Sequence, residues 1–282
     1  MKKNSGLAEQ RSILITGCSS GIGYAAAHAL RERGWNVFAS CRQQKDCDRL
    51  IAAGFNAPQL DYTDKATIAA AVNHILDSTG GKLDALYNNG AHATPGAVED
   101  LPTAALREIF ESNFFGWHEL TRSILPVMRA QGHGRIIQCS SVLGLVTMPW
   151  RGAYNATKFA LEGLTDTLRI ELRDTPIHVS LIEPGPITSN IRANSIPYFE
   201  RWINWEASPR KAQYEKQLLD RLYTERGPDR FELPPQAVID KLIHALESDR
   251  PRPRYYVTTP THISGILRRI LPTRALDWVL SR

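Results

Sequence analysis

A tyrosine and a lysine four residues apart carry the clearest chemical signal in this chain. Tyr154 and Lys158 fall at i and i+4, so a helix places them on one face, roughly 6 Å apart at Cβ. A free tyrosine titrates near ~10, and the neighbouring cation is expected to lower that pKa toward the range useful for acid–base catalysis. Ser141, thirteen residues before Tyr154, supplies a hydroxyl that can hydrogen-bond the oxygen gaining or losing the proton. This constellation suits the interconversion of a carbonyl and an alcohol.

A glycine-rich turn near the N-terminus points to a nucleotide. An apolar strand predicted over 12–16 runs into this turn, and a helical segment over 24–33 follows at once. In such a unit the helix N-terminus offers free backbone N–H groups to a pyrophosphate, and glycines let the backbone come close. The spacing is Gly-x-x-x-Gly-x-Gly, which differs from the general dinucleotide fingerprint, so a generic glycine turn stays open. The candidate cofactor contacts here are Gly17, Ser19, Ser20, Gly21, Ile22 and Gly23.

Together these motifs resemble the signature of the short-chain dehydrogenase/reductase family. The matching stations, in family order and spacing, are Thr16, Gly17, Gly21, Gly23, Asn88-Asn89-Gly90-Ala91, Asn113, Ser141, Tyr154 and Lys158. The resemblance covers 12–187 with specific motifs and extends to 258 by pattern. It implies a catalytic tetrad of Asn113, Ser141, Tyr154 and Lys158. In that tetrad Lys158 also binds the nicotinamide ribose, and Asn113 holds a water that links the lysine to solvent.

The resemblance also implies further cofactor contacts. They are Asp61 near the adenine, Asn89 and Gly90 along the cofactor, and Pro184, Gly185, Ile187 and Ser189 at the nicotinamide end, with Tyr154 and Lys158 at the ribose. A turn or helix-capping role for Asp61 stays open. The chain departs from the family at two stations. Gly90 and Ala91 exchange the usual Asn-Asn-Ala-Gly order, and Ser189 stands where the family commonly has threonine.

Cofactor choice is predicted from the end of the second strand. NAD-preferring folds place an acidic residue there, about twenty positions after the glycine turn, to bind the ribose 2′-hydroxyl. This chain has none and reads Ala39-Ser40-Cys41-Arg42. Arg42 can pair with a 2′-phosphate through a bidentate contact, so NADP(H) is favoured over NAD(H). A merely solvated Arg42 is the alternative, and the hydroxyls of Ser20 and Ser40 are candidates for added contacts.

Hydrophobic periodicity predicts an α/β fold. Strands are predicted at 12–16, 36–40, 57–60, 83–88, 134–140, 178–183 and 254–257, and helices at 64–79, 103–130, 154–173 and 235–247. This alternation indicates a doubly wound parallel sheet with helices on both faces. By resemblance it is a single-domain Rossmann-type fold of about seven strands with a C-terminal helical extension. We expect a short extension at 1–11, a catalytic domain at 12–260 with a substrate lid at 190–234, and a tail at 261–282.

Composition narrows the partners. The net charge of +5 comes from 34 basic residues spread among 29 acidic ones, which argues against nucleic acid and suits an anionic cofactor. The four cysteines lack metal-ligand spacing, so we expect reduced thiols and no metal. The polar first ten residues and the lack of a long apolar run predict a cytoplasmic protein.

The C-terminal tail is basic and amphipathic. Arg268, Arg269, Arg274 and Arg282 interleave with apolar residues, which predicts a helix packed on the domain or across a subunit interface. Weak contact with a membrane surface, and so a peripheral location, is the alternative. By resemblance, the long helices at 103–130 and 154–173 pair across a two-fold axis in a homodimer or homotetramer.

Substrate class rests on the finer resemblance. The run Ile-Glu-Pro-Gly-Pro-Ile at 182–187 and the run Asn-Phe-Phe-Gly at 113–116 resemble the hydroxysteroid and retinol dehydrogenase branch and its bacterial aldehyde-reductase relatives. An NADP(H)-dependent reductase of lipophilic aldehydes or ketones is the leading expectation. A hydroxysteroid or retinol-type alcohol dehydrogenase is the runner-up, and a non-catalytic dinucleotide sensor or scaffold is the alternative of another class. The aromatic residues of the lid fit an apolar ligand, or else they fill a core or an interface.

Overall fold

Six short strands form one parallel sheet in the computed structural model, which describes residues 10–224 and 227–281. The strands are β1 (Ser12–Ile15), β2 (Asn36–Ala39), β3 (Ala85–Asn88), β4 (Gly134–Cys139), β5 (Ile177–Glu183) and β6 (Arg254–Tyr256). Their order is β2-β1-β3-β4-β5-β6. The chain therefore reverses its direction of winding between β1 and β3, and ligands of such sheets bind at that switch point. The predicted doubly wound parallel sheet is confirmed.

Twelve α-helices among the described residues surround the sheet. They are α1 (Gly21–Glu32), α2 (Gln44–Ala52), α3 (Lys65–Thr79), α4 (Thr103–Phe110), α5 (Gly116–Gln131), α6 (Gly152–Glu171), α7 (Ile191–Trp202), α8 (Lys211–Gln213), α9 (Asp220–Tyr223), α10 (Gln236–Glu247), α11 (Thr259–Ile270) and α12 (Thr273–Leu280). Most strand residues are buried, polar ones included, because both faces of the sheet are covered. Ile13 and Ile15 join the core under α1, α2 and α10, whereas Leu14 joins the core under α3 and α5.

The sheet has one strand fewer than the resemblance implied. The strand predicted at 57–60 is reduced to two isolated bridges, Phe38 with Asn56 and Cys41 with Gln59. Pro58 lies between these bridges and has no N–H to donate, so a continuous ladder cannot form there. The helix predicted over 103–130 is also interrupted, because a π-helical turn at Glu111–Phe115 separates α4 from α5.

The segment predicted as a lid folds around a small core of its own. Phe199 and Tyr214 are buried, and Trp202 and Trp205 pack against the same cluster. The Tyr214 hydroxyl donates to Asp100 at 2.8 Å. Most of the lid aromatics therefore fill a core, the second of the two alternatives, and do not form a free apolar surface.

The C-terminal helices turn an apolar stripe outward. α11 packs on the domain through small residues, since Thr261 and Gly265 are buried. Ile263, Ile266 and Ile270 on its other side are about half exposed or more. Arg282 and the first nine residues lie outside the described residues. In the part of the chain that the structure describes, no helix combines the length and the apolar character needed to cross a membrane. All four cysteines are buried free thiols.

Two helical glycines give a matched test of the packing. At Gly116 an added Cβ would overlap the carbonyl oxygen and Cβ of Tyr62, whereas at Gly163 it would meet open space. We expect Gly116→Ala to lower the free energy of unfolding by about 1–3 kcal/mol through overpacking. Gly163→Ala should raise it by about 0.5–1 kcal/mol because alanine is the better helix former. Urea unfolding measures both, and equal effects would contradict the close approach of α5 to Tyr62.

Candidate active site

The tyrosine and lysine lie one turn apart on α6 and face the carboxyl edge of the sheet. Tyr154 is 8% exposed and Lys158 is 1% exposed. The Lys158 ammonium donates to the carbonyl oxygen of Cys139, the last residue of β4, at 2.8 Å. It lies 4.3 Å from the centroid of the Trp117 ring and 5.5 Å from that of the Tyr154 ring. The helical spacing thus brings the ammonium beside the phenol, as predicted.

The pKa of Tyr154 moves in the direction opposite to the one expected. Burial raises the pKa of the phenol well above its usual value, and a hydrogen bond with Ser141 and the charge of Arg151 only partly offset that effect. Burial also lowers the pKa of Lys158, to about 8. Desolvation therefore sets the direction of both shifts. At neutral pH Tyr154 is a protonated phenol, the form that donates a proton.

Ser141 and Ser140 have different environments. The side chain of Ser141 caps the short turn that follows β4, accepting a hydrogen bond from the Leu143 N–H at 3.1 Å, and it also bonds Tyr154. The Ser140 hydroxyl is buried and has no hydrogen-bond partner among the described residues. Of the two serines, Ser141 is the one that the fold brings to the phenol, in agreement with the family spacing.

Asn113 lies in the π-helical turn between α4 and α5. Its side-chain oxygen accepts from the His92 N–H at 3.1 Å, and its amide donates to the His92 carbonyl at 2.8 Å. Both ends of the amide thus hold the backbone that follows β3. π-Helical turns are frequent at functional sites. The water-holding role of Asn113 stays a prediction.

The turn after β1 packs directly on the end of β3. Gly17 has a φ of +70°, and an added Cβ would lie 2.5 Å from the Cα of Gly90. A Cβ on Gly90 would in turn lie 3.2 Å from the Cα of Gly17, which is a tight contact. The glycine at 90 thus relieves crowding at this approach, which gives a physical reason for the exchanged Gly90-Ala91 pair. A Cβ on Gly23 would likewise overlap the carbonyl oxygen of Gly17.

A threonine hydroxyl ties these segments together. Thr16 Oγ1 accepts from the N–H groups of Asn89 at 2.9 Å and Gly90 at 3.2 Å. The Tyr62 hydroxyl donates to Thr16 at 2.7 Å and also bonds Asn88. Sequence reasoning missed Tyr62, and nothing in the sequence other than its place after Asp61 marks it.

A dinucleotide fits the switch point on the evidence of the chain itself. Ser20 is the N-cap of α1, yet its side chain makes no capping hydrogen bond, and the first turn carries no acidic residue. The first-turn N–H groups are therefore available for phosphate oxygens. Ser189, after β5, comes close to Gly21 at the start of this helix, since a Cβ on Gly21 would lie 3.4 Å from that of Ser189. Ser189 thus lies beside the start of the helix that is expected to hold the pyrophosphate.

The segment after β5 carries the remaining predicted contacts. The carbonyl oxygen of Pro184 accepts from the Val142 N–H at 2.8 Å. A Cβ on Gly185 would overlap Thr258 Oγ1, so only glycine fits there. Ile187 forms an isolated bridge with Leu233, which closes the base of the lid.

The adenosine end shows one correction and one confirmed alternative. The Ser40 hydroxyl is buried and donates to the Ile15 carbonyl at 3.3 Å, so it does not face a ligand. Asp61 accepts from the N–H and hydroxyl of Thr63, which is the turn role left open above. Arg42 lies at the surface and donates to the Tyr198 hydroxyl at 2.9 Å.

Comparison with known proteins identifies the class. The family model described as short chain dehydrogenase matches residues 11–197. The chain therefore belongs to the short-chain dehydrogenase/reductase family, and it is an oxidoreductase with a dinucleotide-binding fold.

Its relatives are spread across bacteria and animals. The chain is 38% identical to the uncharacterized oxidoreductase YbbO of Escherichia coli (strain K12), covering 98% of this chain and 96% of that protein. It is 31% identical to retinol dehydrogenase 8 of Homo sapiens (86% and 80% covered). It is also 31% identical to the NADPH-dependent 3-dehydrocapnine reductase of Ornithobacterium rhinotracheale (95% of each covered). A solved short-chain dehydrogenase from Streptomyces avermitilis superposes with a TM-score of 0.77 at 28% identity, covering 97% of this chain and 94% of that one.

The buried lysine predicts a stability change that is independent of turnover. The pKa of Lys158 is about 8 in the folded protein against an ordinary 10.5, so the unfolded chain binds the proton more tightly. Below pH 8 the lysine is charged in both states, and the cost of burying that charge disfavours folding. We expect Lys158→Met to raise the free energy of unfolding at pH 7 by roughly 1–3 kcal/mol. The advantage should shrink as pH rises from about 8 and vanish above 10.5.

Urea unfolding of the cofactor-free protein at pH 7 and at high pH measures this difference. The control is Lys65→Met, at an exposed lysine of α3, which should change stability by less than about 0.5 kcal/mol at either pH. A methionine variant that is less stable than the parent at pH 7 would contradict the argument.

Proposed function

We propose that this protein is an NADP(H)-dependent reductase of lipophilic aldehydes or ketones. The observation that carries the proposal is the buried phenol of Tyr154, whose pKa is raised by burial and which is bonded to Ser141 at the carboxyl edge of the sheet. A buried donor with a high pKa suits the delivery of a proton to an oxygen that gains charge.

The residues divide the work of reduction. Tyr154 donates its proton to the carbonyl oxygen, and Ser141 holds that oxygen and stabilises the developing charge. Lys158 lies beside the phenol and binds the nicotinamide ribose, and Asn113 holds the water through which a proton returns from solvent. The dinucleotide, held by the turn after β1, Asn89, Gly90 and the segment at 184–189, supplies the hydride when bound.

Arg42 supports the choice of NADP(H). It lies shortly after the end of β2. No carboxylate precedes it at 39–41 to repel a 2′-phosphate. Its backbone carbonyl accepts a hydrogen bond from the Gln59 side chain at 3.0 Å, which fixes the backbone position from which the Arg42 side chain extends. A relative at 31% identity carries NADPH dependence in its name.

The names of two relatives support a lipophilic substrate. One is named for retinol and the other, 31% identical over 97% of this chain, for a 17-beta-hydroxysteroid. A hydroxysteroid or retinol-type alcohol dehydrogenase using the same residues in the oxidative direction is the second candidate, favoured by both of these names. A non-catalytic sensor has no need of a buried Lys158 beside Tyr154, because both groups cost stability without turnover.

The proposed reaction is tested by Tyr154→Phe. Absorbance at 340 nm is followed with NADPH and separately with NADH against medium-chain and aromatic aldehydes, steroid ketones and retinal. Removing the proton donor should lower kcat by at least about 10²-fold and leave the Kd for the dinucleotide unchanged. Tyr223→Phe is the control, since that hydroxyl bonds Glu200 in the lid. Tight dinucleotide binding by the parent without turnover of any substrate would favour the sensor, and turnover that persists in Tyr154→Phe would overturn the mechanism.

The outward stripe of α11 supports a proposal about contacts. Ile263, Ile266 and Ile270 are covered either by a second copy in a homodimer or homotetramer or by weak contact with a membrane surface. Ile266→Glu separates the two. A smaller species in light scattering indicates the subunit interface, and loss of co-sedimentation with anionic vesicles indicates the membrane. An unchanged result in both would reject both proposals.

A further inference from the structure

The lid reaches the adenosine end of the cofactor groove through one tyrosine. Tyr198 lies on α7, and its hydroxyl oxygen accepts from the Arg42 guanidinium at 2.9 Å. The next residue, Phe199, is 1% exposed and points into the core of the lid. Because adjacent residues of a helix point in different directions, Tyr198 is the one turned toward the groove. The bond joins two residues 156 positions apart.

The Tyr198 ring is supported from the catalytic side. It stacks on the imidazole of His92, with ring centroids 3.9 Å apart and planes 13° from parallel. His92 is fixed in turn, because its backbone bonds Asn113 at both polar groups and its Nδ1 lies 2.9 Å from the Ser112 hydroxyl. Burial lowers the pKa of His92 to about 4, so the ring is uncharged at neutral pH. The position of the phenol is therefore set by the edge of the sheet as well as by the lid.

The charges around this contact leave Arg42 available. Glu108 on α4 is engaged by Arg201 and by the Trp202 indole. Asp61 is bonded to the N–H and hydroxyl of Thr63. The Arg42 guanidinium has five N–H donors, and its hydrogen bond to the phenol of Tyr198 uses one of them.

We propose that Tyr198 is a second ligand of the 2′-phosphate of NADP(H), which the lid brings to the site beside Arg42. A phenol hydroxyl both accepts and donates, so it can accept from Arg42 and donate to an anion held by the same guanidinium. A phosphate dianion takes both donors through charge-assisted bonds, whereas the 2′-hydroxyl of NAD(H) carries no charge to attract them. The lid then contributes one of the residues that select the cofactor. The inference rests on the proposed NADP(H) dependence.

The test measures binding of cofactor fragments and does not require turnover. Isothermal titration compares adenosine 2′,5′-bisphosphate, which carries the 2′-phosphate, with adenosine 5′-monophosphate, which lacks it. Tyr198→Phe keeps the stacking on His92 and removes the hydroxyl. We expect about tenfold weaker binding of the bisphosphate, the size of one hydrogen bond to a charged group, and unchanged binding of the monophosphate. The KM for NADPH should rise while the KM for NADH and both kcat values stay the same.

Two further variants interpret the result. Tyr223→Phe removes a lid hydroxyl that bonds Glu200, so it should change neither affinity. Arg42→Asp should abolish the preference for the bisphosphate. If Arg42→Asp leaves that preference intact, the proposed NADP(H) dependence is wrong. If Arg42→Asp abolishes it but Tyr198→Phe binds both fragments as the parent does, the cofactor assignment stands and the role of Tyr198 is rejected. Equal weakening of both fragments by Tyr198→Phe would also reject that role, since it would indicate a disturbed lid.

Discussion

The candidate active site at the carboxyl edge of the sheet depends on one constraint. The turn after β1 closely approaches the end of β3. Gly17 and Gly90 meet there without side chains, and the Thr16 hydroxyl bonds the N–H groups of Asn89 and Gly90. Pairing of β1 with β3 brings these segments together at the switch point of the sheet. The same contact fixes where α1 begins and where the backbone leading to His92 runs.

Burial sets the electrostatics of the reacting groups. Lys158 is almost fully enclosed between the Cys139 carbonyl and the Trp117 ring, and its lowered pKa reflects the cost of a charge removed from water. Tyr154 shares this environment, so its phenol keeps its proton. Groups held in an unfavourable state by the fold are typical of sites selected for chemistry over stability. The pair is thus arranged to donate a proton. The free energy lost by burying it is offset by the packing of the two hydrophobic cores around the sheet.

Much of the fold followed from the sequence because its signals are local. Strands β1 to β6 lie within one or two residues of their predicted ends, since apolar runs between turns mark strands buried on both faces. The strand expected at 57–60 failed because Pro58 cannot donate to a ladder. The π-helical turn around Asn113 leaves the apolar periodicity of α4 and α5 nearly intact, so the sequence pattern did not predict it. In the segment expected as a lid, Trp202, Trp205 and Tyr214 turn inward to a core that no local pattern describes.

The sequence by itself determined the family, the parallel sheet, and the pairing of Tyr154 with Lys158, because each depends on short-range spacing that a strand, turn or helix converts directly into geometry. Tertiary structure alone decided three other features. It raised the pKa of Tyr154 where proximity to a cation predicted the opposite, since desolvation depends on everything packed around a group. It paired Gly17 with Gly90. It joined Tyr198 to Arg42 across 156 positions, a distance over which residue types carry no information about contact until the chain has folded.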